Sequence, residues 1–399
     1  MNRKPREKCL TLQLMSESKI VLPCAPHMAP VLSEELQSLG YKIAHEGPLE
    51  VSINGTFEDC MFLNLHLRAA NKVLWLVKSF RATNPDQLYQ QLYQIKWEEY
   101  LYEDGYLCIT SYANNEKILN TQFANVRVKD AIVDRLKDKT GKRPDSGPLR
   151  NQMVVFLHWM EDQASIYLDT SGENIGKHGY RKIPGKAPMM ESLAAATIYA
   201  TNWQKDQIFI NPMCGSGTLA IEAALMAANI VPGQFRDNFG FHHLKGFDFK
   251  KFEQMKNDAK EKEVIPETVI IATDHSSLAI QAAEQNAAVA GVKEYITFKK
   301  CDFRDTPIPE GDGIVLLNPE YGERLGEEEE LALLYAQMGD FFKQDCKGKT
   351  GYIFTGNLQL AKRIGLRTKR RIPFLNARID CRLLEYELYS GSKKQKEED

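Results

Sequence analysis

Gln207-Ile208-Phe209-Ile210-Asn211-Pro212-Met213-Cys214-Gly215-Ser216-Gly217-Thr218 sets a short apolar run against a glycine pair, and an alanine-rich run follows from Thr218 to Asn229. The first four residues read as a buried strand and the last stretch as a helix. The glycines between them let a backbone approach a ligand, and the helix N-terminus offers free N–H groups. Strand, glycine loop and helix in that order open a doubly wound sheet. The loop lacks the lysine of a phosphate-binding P-loop, so nucleotide hydrolysis is not expected. A dinucleotide fold is the nearer rival, because Gly215-x-Gly217-x-x-Ala220 fits the looser form of its fingerprint. That fold needs an acid about 20 residues on. Asp237 has the spacing, but it lies in the aromatic loop Phe235 to Phe241 and follows no strand.

Downstream, strands are expected over Thr268–Ala272, Tyr295–Lys300, Ile314–Leu317 and Gly351–Phe354. Helices are expected over Ser277–Ala290 and Glu327–Lys343, with an inserted helix near Phe249–Lys262. Arg370–Leu375 and Cys381–Tyr389, separated by Asn376-Ala377-Arg378, read as an antiparallel hairpin added at a sheet edge. Three strand ends then carry polar groups on one side of the sheet. Asp274, with His275 beside it, suits a ribose held by its two hydroxyls. Asp302-Phe303 places a carboxylate and a ring where an adenine could rest. Each acid alone could equally cap a helix or turn.

The fourth strand ends in Asn318-Pro319-Glu320-Tyr321-Gly322. Asn, Pro and Gly form turns, and a turn alone would account for them. The Asn318 amide and the Pro319 carbonyl also offer two acceptors to a single NH₂ group. An exocyclic amine is a poor nucleophile because its lone pair is delocalised into the ring; two hydrogen bonds to its protons favour a pyramidal nitrogen. Tyr321 offers a face on which a flipped base can stack. In that reading Tyr321→Phe is mild and Tyr321→Ala severe, since stacking needs only the ring.

At 399 residues the chain suggests two or three domains, and 51 Lys plus Arg against 53 Asp plus Glu leave a net charge of −2. Any polyanion site must be a local patch. Arg127 to Arg150 has more bases than acids, and Lys362, Arg363, Arg367, Lys369, Arg370, Arg371 and Arg378 form a run without an acid. The 8 cysteines are scattered, which argues against a zinc knuckle, an iron–sulfur cluster or a disulfide framework. Cys214 as a pyrimidine-methylating nucleophile is set aside, because it belongs to the cofactor-loop pattern. His242-His243 lack further ligands at metal spacing and read as surface-loop residues. Tyr89, Tyr93, Trp97 and Tyr100 recur as on one face of a helix and read as packing. The basic start lacks a long apolar core and no uncharged run reaches the roughly 18 residues of a membrane span, so a cytoplasmic protein is expected. The first half reads as an α+β domain, with the joint to the second half between Asp169 and Pro188.

The chain resembles the class I S-adenosylmethionine-dependent RNA guanine-N2 methyltransferases that carry a THUMP RNA-binding domain. The resemblance rests on Asn211–Thr218 as cofactor loop and Asn318–Leu325 as catalytic loop. It extends to Ile175–Arg181 and Ala187–Ala196 as entry segment, Phe123–Arg135 with Arg143-Pro144 as THUMP signature, and Leu375-Asn376 with Cys381–Leu383 as closing hairpin. It implies an α/β, Rossmann-like class I methyltransferase sheet with a C-terminal antiparallel hairpin over 169–390. A ferredoxin-like segment over 1–65 and a THUMP domain over 66–168 would precede it, and a disordered tail over 391–399 would follow. It further implies S-adenosylmethionine held by Asn211, Pro212, Cys214, Gly215, Ser216, Gly217, Thr218, Asp274, His275, Asp302, Phe303 and Asn318. Catalysis would fall to Asn318, Pro319 and Tyr321, without a metal. RNA, ribosomal before transfer RNA, would meet Lys129, Arg135, Arg143, Lys369, Arg370 and Arg371. The family usually has Asn-Pro-Pro-Tyr where Glu320 stands here, yet both acceptors survive. Longer members continue into a second methyltransferase domain, for which no room is expected after Tyr389. The shared loop leaves open an adenine N6 or a protein glutamine as acceptor, and a non-catalytic RNA-binding assembly factor.

Overall fold

The computed structural model describes residues 16–114, 121–185, 188–321 and 328–389. The expected disordered tail over 391–399, the basic start, Ala187 of the entry segment, and Gly322–Leu325 and Glu327 after the catalytic loop lie outside the described residues. The chain divides into two compact units. The first comprises 1–24, 32–176 and 236–261, and the second 25–31, 177–235 and 262–399.

The first unit is built on one eight-stranded sheet. Its strands are β1 (Ser18–Pro23), β2 (His45–Glu46), β3 (Glu50–Gly55), β4 (Leu74–Arg81), β5 (Tyr106–Asn114), β6 (Asp145–Ser146), β7 (Met153–Met160) and β8 (Gln163–Asp169), in the order β2-β3-β1-β4-β8-β7-β5-β6. β1 pairs with β4 through Ile20 and Val21, so the segment over 1–65 and the one after it share a single sheet. The α-helices among the described residues are α1 (Ala29–Ser38), α2 (Phe57–His66), α3 (Pro85–Tyr93), α4 (Thr121–Thr140), α5 (Glu191–Ala200), α6 (Thr218–Ala227), α7 (Phe249–Glu261), α8 (Ser277–Val289), α9 (Glu328–Gln344) and α10 (Leu358–Ala361).

The four aromatics read as one helix face divide in two. α3 ends at Tyr93, where Tyr89 and Tyr93 donate to Asp134 (2.8 Å) and Asp138 (2.5 Å) of α4, while Trp97 and Tyr100 are buried beyond it. All four still serve packing.

The inserted segment containing α7 belongs to this unit, where the Phe241 N–H donates to the Thr170 carbonyl and Leu101 bridges to Leu244. His242 and His243 are half-buried rather than surface residues, because His242 lies among the rings of Phe239, Phe241, Phe247 and Phe252. Burial, reinforced by His243 and Lys256, pushes His242 down to about 4. Its Nδ1 accepts the Phe239 N–H at 3.3 Å, which requires the neutral ring. A ring kept neutral by the fold but free to protonate when unfolded costs stability as pH falls from about 6.5 toward 4. His242→Phe should therefore lose less stability than the wild type between about pH 7.5 and about pH 5, by on the order of 1–2 kcal/mol in urea titrations. Equal losses would place the titration elsewhere.

The second unit carries a seven-stranded sheet in the order β11-β10-β9-β12-β13-β15-β14. These are β9 (Ile208–Pro212), β10 (Ile270–Asp274), β11 (Ile296–Lys300), β12 (Gly313–Leu317), β13 (Thr350–Thr355), β14 (Arg370–Asn376) and β15 (Ile379–Glu387). β9 to β13 are parallel. β15 pairs antiparallel with β13, which leaves the first strand of the hairpin, β14, at the edge. Every residue of α6 is buried, as expected of a helix with apolar side chains on every face, and Glu222 is buried among them. Val315, Leu317, Ile353 and Leu384 of the sheet meet Tyr335, Met338, Phe341 and Phe342 of α9 in one core. Among the described residues no helix is long and apolar enough to cross a membrane, and no three His, Cys, Asp or Glu side chains could hold a metal ion.

Candidate active site

β9 and β12 are parallel neighbours, with β10 and β11 to one side and β13 to the other, so the order of winding reverses between them. Ligands of open α/β sheets bind beyond the strand ends at such a switch point. Asn211 spans it: this fully buried side chain donates through Nδ2 to the Leu316 carbonyl of β12 at 2.8 Å. Its Oδ1 is buried without a hydrogen-bond partner.

Pro212 ends β9 and begins a loop with positive φ at Met213 (56°), Gly215 (56°) and Gly217 (84°). A Cβ on Gly217 would stand 2.8 Å from that of Ala283 on α8, whereas one on Gly215 would meet nothing within 4 Å. The loop is thus closed behind and open in front. Cys214 N–H donates to Thr273 O at 2.9 Å, and burial pushes the Cys214 thiol well up, which suits it poorly to act as a nucleophile. The Asp274 carboxylate accepts from Gly215 N–H (3.0 Å) and Ser276 N–H (2.9 Å), with the exposed His275 ring 3.5 Å away. One carboxylate therefore shapes the loop and keeps further lone pairs for a ligand.

Two residues absent from the expected site hold the loop from behind. Asn286 of α8, fully buried, donates to Ser216 O (3.2 Å) and Ile183 O (2.9 Å) and accepts from the N–H groups of Lys182 and Ile183. Arg181 donates to Met189 O and to Thr218 Oγ1 (3.2 Å), and lies 3.4 Å from Glu191. Arg181 stands in the entry segment, so its motif was visible; Asn286 carried no signal within an amphipathic helix.

At the third strand end, Asp302 caps the following turn and pairs with Arg304 at 2.8 Å, and the bonds to Arg304 lower its carboxyl below the usual range. The ring that the sequence offers to an adenine, Phe303, is part of the core. Phe303 is 6% exposed and packs edge-on against Phe341 at 5.7 Å, because its neighbours Ile210, Ile271 and Val315 form the core.

At the fourth, Pro319 is buried, Glu320 exposed, and Asn318 and Tyr321 half-buried. Glu320 thus places its charge on the surface. Tyr321 was expected to contribute only a ring, yet its hydroxyl donates to Asn318 Oδ1 at 3.1 Å. Burial pushes that hydroxyl well above the usual phenol range.

Several expected RNA contacts are engaged within the chain. Arg135 pairs with Glu98 at 2.6 Å, Arg370 with Glu385 at 2.5 Å, Lys369 with Glu385 (3.5 Å) and Glu387, and Lys129 with Asp130 at 3.2 Å. Arg143 and Arg371 are exposed, as are Arg363, Arg367 and Arg378.

Residues 178–385 match the family model described as RMKL-like, methyltransferase domain; 19–74 match the RlmL ferredoxin-like domain and 82–169 the THUMP domain. The chain is 36% identical over 372 residues to the ribosomal RNA large subunit methyltransferase K/L of Syntrophotalea carbinolica, covering 90% of this chain and 52% of that protein. It thus spans about half the length of that relative. It is 33% identical over 361 residues to slr0064 of Synechocystis sp., a candidate RNA methyltransferase, covering 90% of this chain and 94% of the relative. The crystal structure of SMU.472, a candidate methyltransferase complexed with SAH, superposes with a TM-score of 0.85 at 28% identity, covering 94% of this chain and 99% of that one. A sheet wound about a switch point, with a glycine loop on one side and an Asn-Pro loop on the other, agrees with these matches, and the chain belongs to the RMKL-like methyltransferase-domain family.

Proposed function

We propose that the chain transfers a methyl group from S-adenosylmethionine to the exocyclic N2 of a guanine in RNA, with 23S ribosomal RNA as the substrate. The observation that carries this reading is the bond from Asn211 to Leu316, which joins the end of the loop-bearing strand to the strand that ends in Asn318-Pro319. The residues present fit the cofactor: Asn211 Oδ1 is a buried acceptor without a partner, the space before Gly215 is open, and Asp274 keeps acceptor capacity for ribose hydroxyls. The loop Asn211–Thr218 would hold it, with His275 and the Asp302 carboxylate alongside. When bound, S-adenosylmethionine supplies an electrophilic methyl group. Asn318 Oδ1 and the Pro319 carbonyl would accept the two amine protons and turn the nitrogen lone pair out of the base plane. The Tyr321 ring would support the flipped base.

Guanine rather than adenine rests on the resemblance of the loops to the guanine-N2 methyltransferases, and ribosomal RNA rather than another RNA on the relatives named ribosomal RNA large subunit methyltransferase K/L. Incubation of unmodified total RNA with the protein and labelled S-adenosylmethionine should yield N2-methylguanosine by nucleoside mass spectrometry. N6-methyladenosine instead would overturn the substrate, and unlabelled RNA would favour a binding factor without turnover.

Because Lys369 and Arg370 are paired within the hairpin, phosphate contact falls more readily to the exposed Arg363, Arg367 and Arg378. Reversing the charge of these three should weaken RNA binding across sequences and lower the salt slope by about 0.7–0.9 per lost contact. An unchanged slope in filter binding at several salt concentrations would mean that this run only faces solvent.

A further inference from the structure

Tyr321 lies in a hydrogen-bonded series that starts on the closing hairpin. Asn376, the last residue of β14, donates through Nδ2 to Tyr321 Oη at 3.3 Å, and Tyr321 Oη donates to Asn318 Oδ1 at 3.1 Å. Two further contacts place Tyr321 beside the hairpin. Asn357 Nδ2 donates to the Tyr321 carbonyl at 3.4 Å, and a Cβ on Gly356 would stand 3.2 Å from Tyr321 Cδ2 and 2.5 Å from Ile379 Cγ2. Gly356 is therefore the residue that leaves space for the ring beside the hairpin.

The sense of the series follows from the chemistry of its members. A side-chain NH₂ group donates and does not accept, so Asn376 occupies a lone pair of the Tyr321 oxygen. Cys381 also lies within hydrogen-bonding reach of this hydroxyl, but its sulfur is the weaker acceptor; the hydroxyl proton is then directed to Asn318 at 3.1 Å, and a proton arriving there requires the carbonyl end of that amide. Oδ1 keeps a second lone pair, which an incoming amine proton can use. With the amide turned over, its NH₂ group would oppose the Tyr321 hydroxyl proton and the amine protons alike. We propose that Asn376 is a positioning residue which, through the Tyr321 hydroxyl, sets Asn318 with its acceptor toward the substrate amine. This rests on the methyl-transfer reading above, and it gives the C-terminal hairpin a task at the centre of the sheet.

Asn376→Ala should lower kcat roughly 5- to 10-fold, the equivalent of one neutral hydrogen bond, with unchanged affinity for S-adenosylmethionine and RNA. Tyr321→Phe should cost a similar factor, and adding Asn376→Ala to it should cost nothing more, because both remove the same series. Asn376→Asp should be worse than Asn376→Ala, since a carboxylate accepts the Tyr321 proton and draws it from Asn318. Equal costs of Asn376→Ala in both backgrounds, or an Asn376→Asp variant as fast as the wild type, would overturn the proposal. A measurement without substrate separates it from the methyl-transfer reading. The Asn318 side-chain amide resonances of the free protein should shift in Asn376→Ala and in Tyr321→Phe, while backbone amides of β9 and β10 stay in place. Unshifted Asn318 resonances would overturn the relay even if RNA is methylated. Shifted resonances in a protein that methylates no RNA would sustain the relay and sink the reaction.

Discussion

Asn318→Ala is expected to bind S-adenosylmethionine and RNA as the wild type does and to turn over roughly 10²–10³-fold more slowly, as when one preorganised polar group is removed from a transition state. In the proposed reaction either acceptor alone would leave the amine free to rotate its lone pair back into conjugation with the base, so the two would act as a unit. Oδ1 of Asn318 is already set by the Tyr321 hydroxyl, which lessens the reorganisation left for the moment of reaction. Tyr321→Ala, which removes both the ring and that hydroxyl, should be severe, and Tyr321→Phe intermediate rather than mild. Single-turnover rates with calorimetric affinities measured on the same preparations decide the matter. An Asn318→Ala variant as fast as the wild type would mean that the amine is held by other groups.

Asp274→Ala is expected to weaken S-adenosylmethionine by roughly 10- to 100-fold, about 1.5–3 kcal/mol for hydrogen bonds to a charged group, with the fold intact. In the proposed site the carboxylate would have two tasks, since it also accepts the N–H groups of Gly215 and Ser276. Its loss would loosen the loop as well as release a ribose. Asp274→Asn, which keeps one acceptor oxygen, should fall between the wild type and Ala in titration calorimetry. An unchanged affinity in Asp274→Ala would remove this residue from the cofactor site.

Strand, glycine loop and helix from Gln207 onward were legible because a buried parallel strand and a buried helix each leave a nearly continuous apolar signal. The same signal placed Asp274 and Asn318 at strand ends, and the paired extended runs about Asn376 gave the hairpin. Local pattern does not say which strand neighbours which. That β15 rather than β14 pairs with β13, and that 236–261 joins the first unit, are decided by long-range pairing.

Side-chain roles divide along the same line. Fold class and the strand ends that carry polar chemistry follow from periodicity and from residue types adjacent in the chain. That Phe303 belongs to the core, that Arg135 and Arg370 are engaged by Glu98 and Glu385, and that the Tyr321 hydroxyl has a partner emerge only on folding. A hydrogen bond or ion pair depends on two atoms meeting within about 3 Å. The partners Asn318, Tyr321 and Asn376 come from a strand end and a distant hairpin, which only the folded sheet brings together.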